Sequence, residues 1–186
     1  MLCGLAVPGL LLSAPVPGAA VRGQFIRVES GDRHEYLHFA EVEVYVGGRN
    51  IAVGRPVKAS STMQPFTPDK AVDGRIEYTW GVDPSFWSSA GNRGGEWWEV
   101  DLGAEVSSER VLLYNRSDCC QERLQGAVLT VLAGDRSVAS RTTMEAKANP
   151  NDPLYHLGAG QGVLSSAERL VALPTQAGGT YDVSAE

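Results

Sequence analysis

The chain has 186 residues, with 16 Lys and Arg against 22 Asp and Glu and a formal net charge of -6. That length is enough for one domain with a real core. The acidic balance argues against binding carried by nucleic-acid phosphates and against a polybasic membrane anchor.

The first twenty residues, "MLCGLAVPGLLLSAPVPGAA", carry no charge; the first charged side chain is Arg22. The apolar run at Leu10 to Leu12 and the small residues Gly18-Ala19-Ala20 read as a secretory signal over residues 1–22, although a basic start is missing. A plain apolar tail is the alternative. The run is too short and too rich in proline to span a bilayer. Cys3 would leave with the signal, so Cys119 and Cys120 would be the thiols of an exported chain, where a disulfide is permitted.

The rest reads as all-β. Phe25 to Glu29 forms a short strand. In "FAEVEVYV", Ala40, Val42, Val44 and Val46 share one face and Glu41, Glu43 and Tyr45 the other, the period of a half-buried strand. "EWWEVDLG" repeats the pattern with Trp98, Val100 and Leu102 on one side. "RVLLYNR" and "GAVLTVLA" give two more strands. The turn at Gly134-Asp135 leads into a return strand from Ser137 to Arg141. "ERLVALP", Glu168 to Pro174, is the last candidate, and residues 175–186 read as a tail. Helical periodicity is absent; Asp69 to Val72 suffices for one turn. Long polar loops at Ala59 to Lys70 and Asp73 to Gly95 fit a sandwich or jelly roll, whose loops carry the binding chemistry.

His34, His38 and His156 fall in no nucleophile or zinc pattern, and read as surface or strand-end residues. No carboxylate pair stands out for glycosidic chemistry. "NRSDCCQERL" is different. Arg116 ends an apolar strand, so Asp118, Cys119, Cys120 and Arg123 fall on a loop. An arginine presents a planar fork suited to neighbouring hydroxyls or a carboxylate, and Asp118 is close enough in sequence to hold it. A bridge between Cys119 and Cys120 would close a minimal ring and act only locally. Two unrelated thiols, or a surface ion-pair cluster, remain the alternative.

"NRSDCCQERL" resembles the signature loop of the F-type lectins (fucolectins), in which Arg-x-Asp is followed by a second basic residue. "GRNIAVGRPVKASST", "KAVDG", "EWWEVDLG" and "VLLYNR" resemble the same family and the wider discoidin-like, coagulation-factor type C modules. The resemblance implies a galactose-binding-like β-sandwich (jelly roll) over residues 23–174, without catalysis. It also implies that Arg116 and Arg123 hydrogen-bond fucose hydroxyls, that Asp118 orients them, and that Cys119 and Cys120 form a vicinal disulfide packed on the sugar. Calcium is the implied cofactor, held by the Asp73 and Glu41 side chains and the Lys70 and Arg75 carbonyls. An arginine side chain cannot ligate calcium.

The chain departs from the family in two ways. The motif histidine, expected before the Trp97 strand, falls on Ser89, or on Ser88 with a one-residue slip. Trp87 is a candidate stacking face there, or else part of the sandwich. The "AEVEV" strand, usually last, comes first. The module is therefore read as circularly permuted, with Phe25 to Val46 closing the sandwich; the alternative is that this pair ends a preceding module. The expected function is secreted, calcium-assisted binding of a fucosylated or related glycan, alone or in a larger assembly. A discoidin-like protein- or surface-interaction module that has lost the sugar is the alternative.

Overall fold

The computed structural model describes residues 20–31, 34–76, 86–116, 118–147, 149, 152 and 154–157. Eleven strands form among these, the longer ones on alternating apolar residues: β1 (Val21–Glu29), β2 (His38–Phe39), β3 (Glu41–Val46), β4 (Arg49–Asn50), β5 (Val57–Ala59), β6 (Trp87–Ser88), β7 (Trp97–Ser108), β8 (Arg110–Tyr114), β9 (Val128–Leu132), β10 (Val138–Thr143) and β11 (Leu154–Leu157). A five-stranded sheet in the order β10-β9-β1-β7-β5 faces a four-stranded sheet in the order β11-β8-β3-β4, and β2 and β6 form a separate pair. The fold is an all-β, galactose-binding-like sandwich.

The inner faces follow from the period of two. Ile26, Val28, Trp98, Val100, Leu129 and Val131 from one sheet join Val42, Val44, Val111, Leu113 and Leu157 from the other in one buried cluster. Apolar burial drives this pairing of faces. At Gly23 the β1–β7 register shifts. A Cβ there would fall 2.8 Å from the Leu132 carbonyl oxygen, so the residue allows close approach of β9.

The front of the chain closes the sandwich. β1 pairs antiparallel with both β7 and β9, and β3 pairs with β8. A strand pair belonging to another module would have no reason to fill the middle of this sheet. β1 starts at Val21, whose carbonyl accepts a hydrogen bond from the Ser108 hydroxyl at 3.1 Å. The strand thus includes Val21 and Arg22, which the charge pattern assigns to the leading segment. The return strand runs from Val138 to Thr143 rather than from Ser137 to Arg141. β2, β6 and β11 are too short or too polar to have been predicted. "ERLVALP" and most of the leading segment lie outside the described residues.

Two short 3-10 turns interrupt the strands, Pro68–Val72 and Gln121–Leu124. Each is tied to the core by an apolar anchor: Ala71 and Val72 in the first, Leu124 in the second. The Trp98 indole N–H also donates to the Pro68 carbonyl at 3.0 Å. These two turns carry the polar residues considered next. Among the described residues, no helix is long and apolar enough to cross a membrane.

Candidate functional site

The loop after β8 is pinned at both ends. Asn115 is buried; its Oδ1 accepts from the Arg116 N–H at 2.8 Å and its Nδ2 donates to the Gln121 carbonyl at 2.9 Å. Between these points Cys119 and Cys120 are joined in a disulfide with Cα atoms 3.8 Å apart. Cys120 has φ 60° and ψ 30°, left-handed values that a non-glycine residue seldom adopts. Its carbonyl accepts from the Arg123 N–H at 3.2 Å, which starts the 3-10 turn and fixes where Arg123 leaves the backbone.

Asp118 orients Arg116 but not Arg123, which the sequence reading also gave to it. Arg116 Nε and Nη2 lie 2.8 and 2.6 Å from the two oxygens of Asp118, a bidentate pair. The guanidinium stacks over Phe86 with its Cζ 4.8 Å from the ring centre. Arg123 reaches the other way. Its Nε lies 3.2 Å from Glu35 Oε2, and its guanidinium lies 5.6 Å from the Tyr36 ring centre.

The segment before β3 supplies what the sequence reading missed. Leu37 is a core residue and anchors it. His38 pairs across the short sheet with Ser88, one of the two positions on which the motif histidine falls. An imidazole therefore reaches this neighbourhood from the opposite strand. It is buried, and its pKa falls to about 3, chiefly through desolvation and then through the nearby Arg116 and Arg123 cations. A hydrogen bond to the Cys120 backbone and the Asp118 charge pull weakly the other way. His38 is thus neutral, and its Nε2 has no hydrogen-bond partner. The strand placement of His38 was visible; its proximity to a loop distant in sequence was not.

Trp87 and Ser88 need correction. Trp87 is fully buried and packs on Phe39 with ring centres 5.2 Å apart, so it is part of the sandwich and offers no face to a ligand. Ser88 is buried too, and its hydroxyl donates to the Ser89 carbonyl at 3.2 Å. Ser89 is equally committed: its Oγ accepts from the Leu37 N–H at 3.0 Å and donates to the Gly91 carbonyl at 2.8 Å.

The second polar group lies at the turn after Pro68–Val72. Glu41 projects from β3 but is covered by this turn and is fully buried. Its Oε1 accepts from the Gly74 N–H at 3.0 Å, while its Oε2 is buried without a hydrogen-bond partner. Burial is the main cause that raises its pKa to about 9; the nearby Asp73 and Glu43 charges add to it. Asp73 Oδ1 accepts from the Arg75 N–H at 3.0 Å, and its Oδ2 lies 3.9 Å from Lys70 Nζ. Burial raises the Asp73 pKa as well. Glu41 and Asp73 thus meet, as the permuted reading expects. The orphaned Glu41 oxygen and the neighbouring carboxylate fit a hard cation that takes oxygen ligands. Among the described residues no cluster of three or more His, Cys, Asp and Glu side chains forms a metal site. Backbone carbonyls, such as those of Lys70 and Arg75, would have to complete the shell.

Residues 70–157, just under half of the chain, match the family model F5_F8_type_C_2, described as a NedA-like, galactose-binding domain. The matched segment runs from the Asp73 turn through the Arg116 loop to β11, and its likeness supports a discoidin-like module. No curated protein and no solved structure matches the chain.

Proposed function

We propose that this protein is a non-catalytic carbohydrate-binding module, lectin-like in its ligand site, that holds a fucosylated or related glycan outside the cell with calcium bound at the Glu41–Asp73 turn. The observation that carries this reading is the pair of arginines, Arg116 held by Asp118 and Arg123 partly exposed, beside the Cys119–Cys120 disulfide. Adjacent sugar hydroxyls each donate one hydrogen bond and accept others. Guanidinium donors suit the hydroxyl oxygens, and a sulfur surface suits the C–H face of the ring. Asp118 positions Arg116, so the donors are oriented before the ligand arrives. Calcium, when bound, would supply charge that lets Glu41 and Asp73 ionise and would fix the turn.

A glycan array with and without a chelator tests the reading. Wild-type protein is expected to bind fucosylated glycans, with loss in the Arg123→Ala variant and weakening by chelator. A wild-type array without any glycan signal would sink it.

One observation favours a second reading. Arg116 is buried and spends Nε and Nη2 on Asp118, Arg123 meets Glu35, and Trp87 and Ser88 are buried. A discoidin-like module that binds a protein or another surface through its loops, without the sugar, would look like this. It predicts a silent array.

A further inference from the structure

Both loop cations meet a carboxylate of the protein itself, but the two pairs are built differently. The Arg116–Asp118 side chains are 5% and 22% exposed and bonded through both oxygens. The Arg123–Glu35 side chains are 25% and 41% exposed, with Arg123 Nε 3.2 Å from Glu35 Oε2. The first pair is a fixed part of the loop. The second is an open surface pair of the kind that costs little to separate. A ligand approaching the outer guanidinium therefore meets the Glu35 carboxylate beside it. His38 is neutral and adds no positive charge.

We propose that Glu35 is a specificity-determining residue that makes this site accept neutral, hydroxyl-bearing ligands and reject anionic ones. The proposal rests on the carbohydrate reading above. A diol can use other N–H groups of Arg123 while Glu35 stays, because hydroxyls both donate and accept. A carboxylate or sulfate only accepts. It must displace Glu35 or sit against it and Asp118, on a chain whose formal net charge is -6. Like charges brought together at short range raise the energy of the wrong complex, which is how such discrimination is built.

The experiment has two arms. In the first, isotopically labelled protein is titrated with sodium acetate at constant ionic strength, and the Arg123 Nε–H resonance is followed. The wild-type resonance is expected to stay in place, and that of Glu35→Gln to move along a saturating curve. An equal response of the two proteins overturns the proposal. In the second arm, binding of a neutral fucosylated glycan is compared with that of its sialylated counterpart. The ratio of sialylated to neutral binding is expected to rise about threefold or more in Glu35→Gln, the size of an exposed ion pair. A ratio that stays the same overturns the proposal. If wild-type protein binds neither glycan but the acetate arm behaves as expected, the carbohydrate reading falls and the charge filter stands.

Discussion

The Arg116 loop and the Asp73 turn draw on the same short stretch of chain, which sends His38 to one and Glu41 to the other. They balance polarity in opposite ways. In the loop, Arg116 meets Asp118, Arg123 meets Glu35, and the buried histidine is kept neutral. In the turn, two carboxylates approach each other, one cation stands at 3.9 Å, and a buried oxygen of Glu41 has no partner. Each region keeps one buried polar atom without a partner, His38 Nε2 in the loop and Glu41 Oε2 in the turn, but only in the turn does it belong to a carboxyl group beside a second one. Burying an unpaired polar atom is costly, and a buried carboxylate stays ionised only when a cation compensates it.

The largest effect expected from breaking this contrast is on the acid side. The folded pKa of His38, about 3, lies below its ordinary value of 6.5. Its contribution to stability is therefore complete above pH 6.5 and is lost as the pH falls towards 3. The loss is on the order of a few kcal/mol over that window. Urea denaturation at pH 7, 5 and 4 should show a steeper loss for wild type than for His38→Gln. Parallel curves would mean that His38 does not titrate as its surroundings dictate. Burial sets the direction of the shift; of the charged groups facing His38, Arg116 and Arg123 add to it and Asp118 opposes it.

Next in size is Arg116→Ala. Removing the buried arginine strands Asp118 and uncovers the face of Phe86, and breaking such a pair costs about 3 kcal/mol or more. The same substitution at Arg123 should cost under about 1 kcal/mol, because that pair is half exposed. Thermal or urea melts of the two variants measure the difference directly; equal losses would erase the distinction between a fixed and an open pair.

The turn should respond to calcium where the loop does not. Saturating calcium at about a hundred times its dissociation constant would stabilise the protein by about 2.7 kcal/mol. Glu41→Gln should abolish that gain while leaving the Cys119–Cys120 loop intact. A calorimetric melt of both proteins, with calcium and with chelator, checks this; an unchanged calcium gain in the variant would remove Glu41 from the site. The smallest effect is on Glu35→Gln, whose stability should change by less than about 0.5 kcal/mol while its response to acetate appears.

The strands that bury one face were predictable because their period is set by the backbone itself. "EVEVYV" and "WWEVDLG" each announce which residues face inward, and the structure buries Val42, Val44, Trp98, Val100 and Leu102 accordingly. Short or polar pieces such as β2, β6 and β11 carry too few alternations to stand out. Trp87 illustrates the limit: its size made it a candidate for stacking on a ligand, but sequence does not say whether an aromatic ring faces outward or fills the core.

The sequence alone determined the all-β class, the Arg116–Arg123 loop as a local unit, and the pairing of Arg116 with Asp118, because all of these rest on neighbours a few residues apart. Tertiary structure decided the rest. It put His38 opposite Ser88, Glu35 on Arg123 and Glu41 beside Gly74. Each of those contacts joins segments far apart in the chain, and their partners are chosen by how two sheets bury their apolar faces. That burial fixes the positions of polar residues which had no periodic signal of their own.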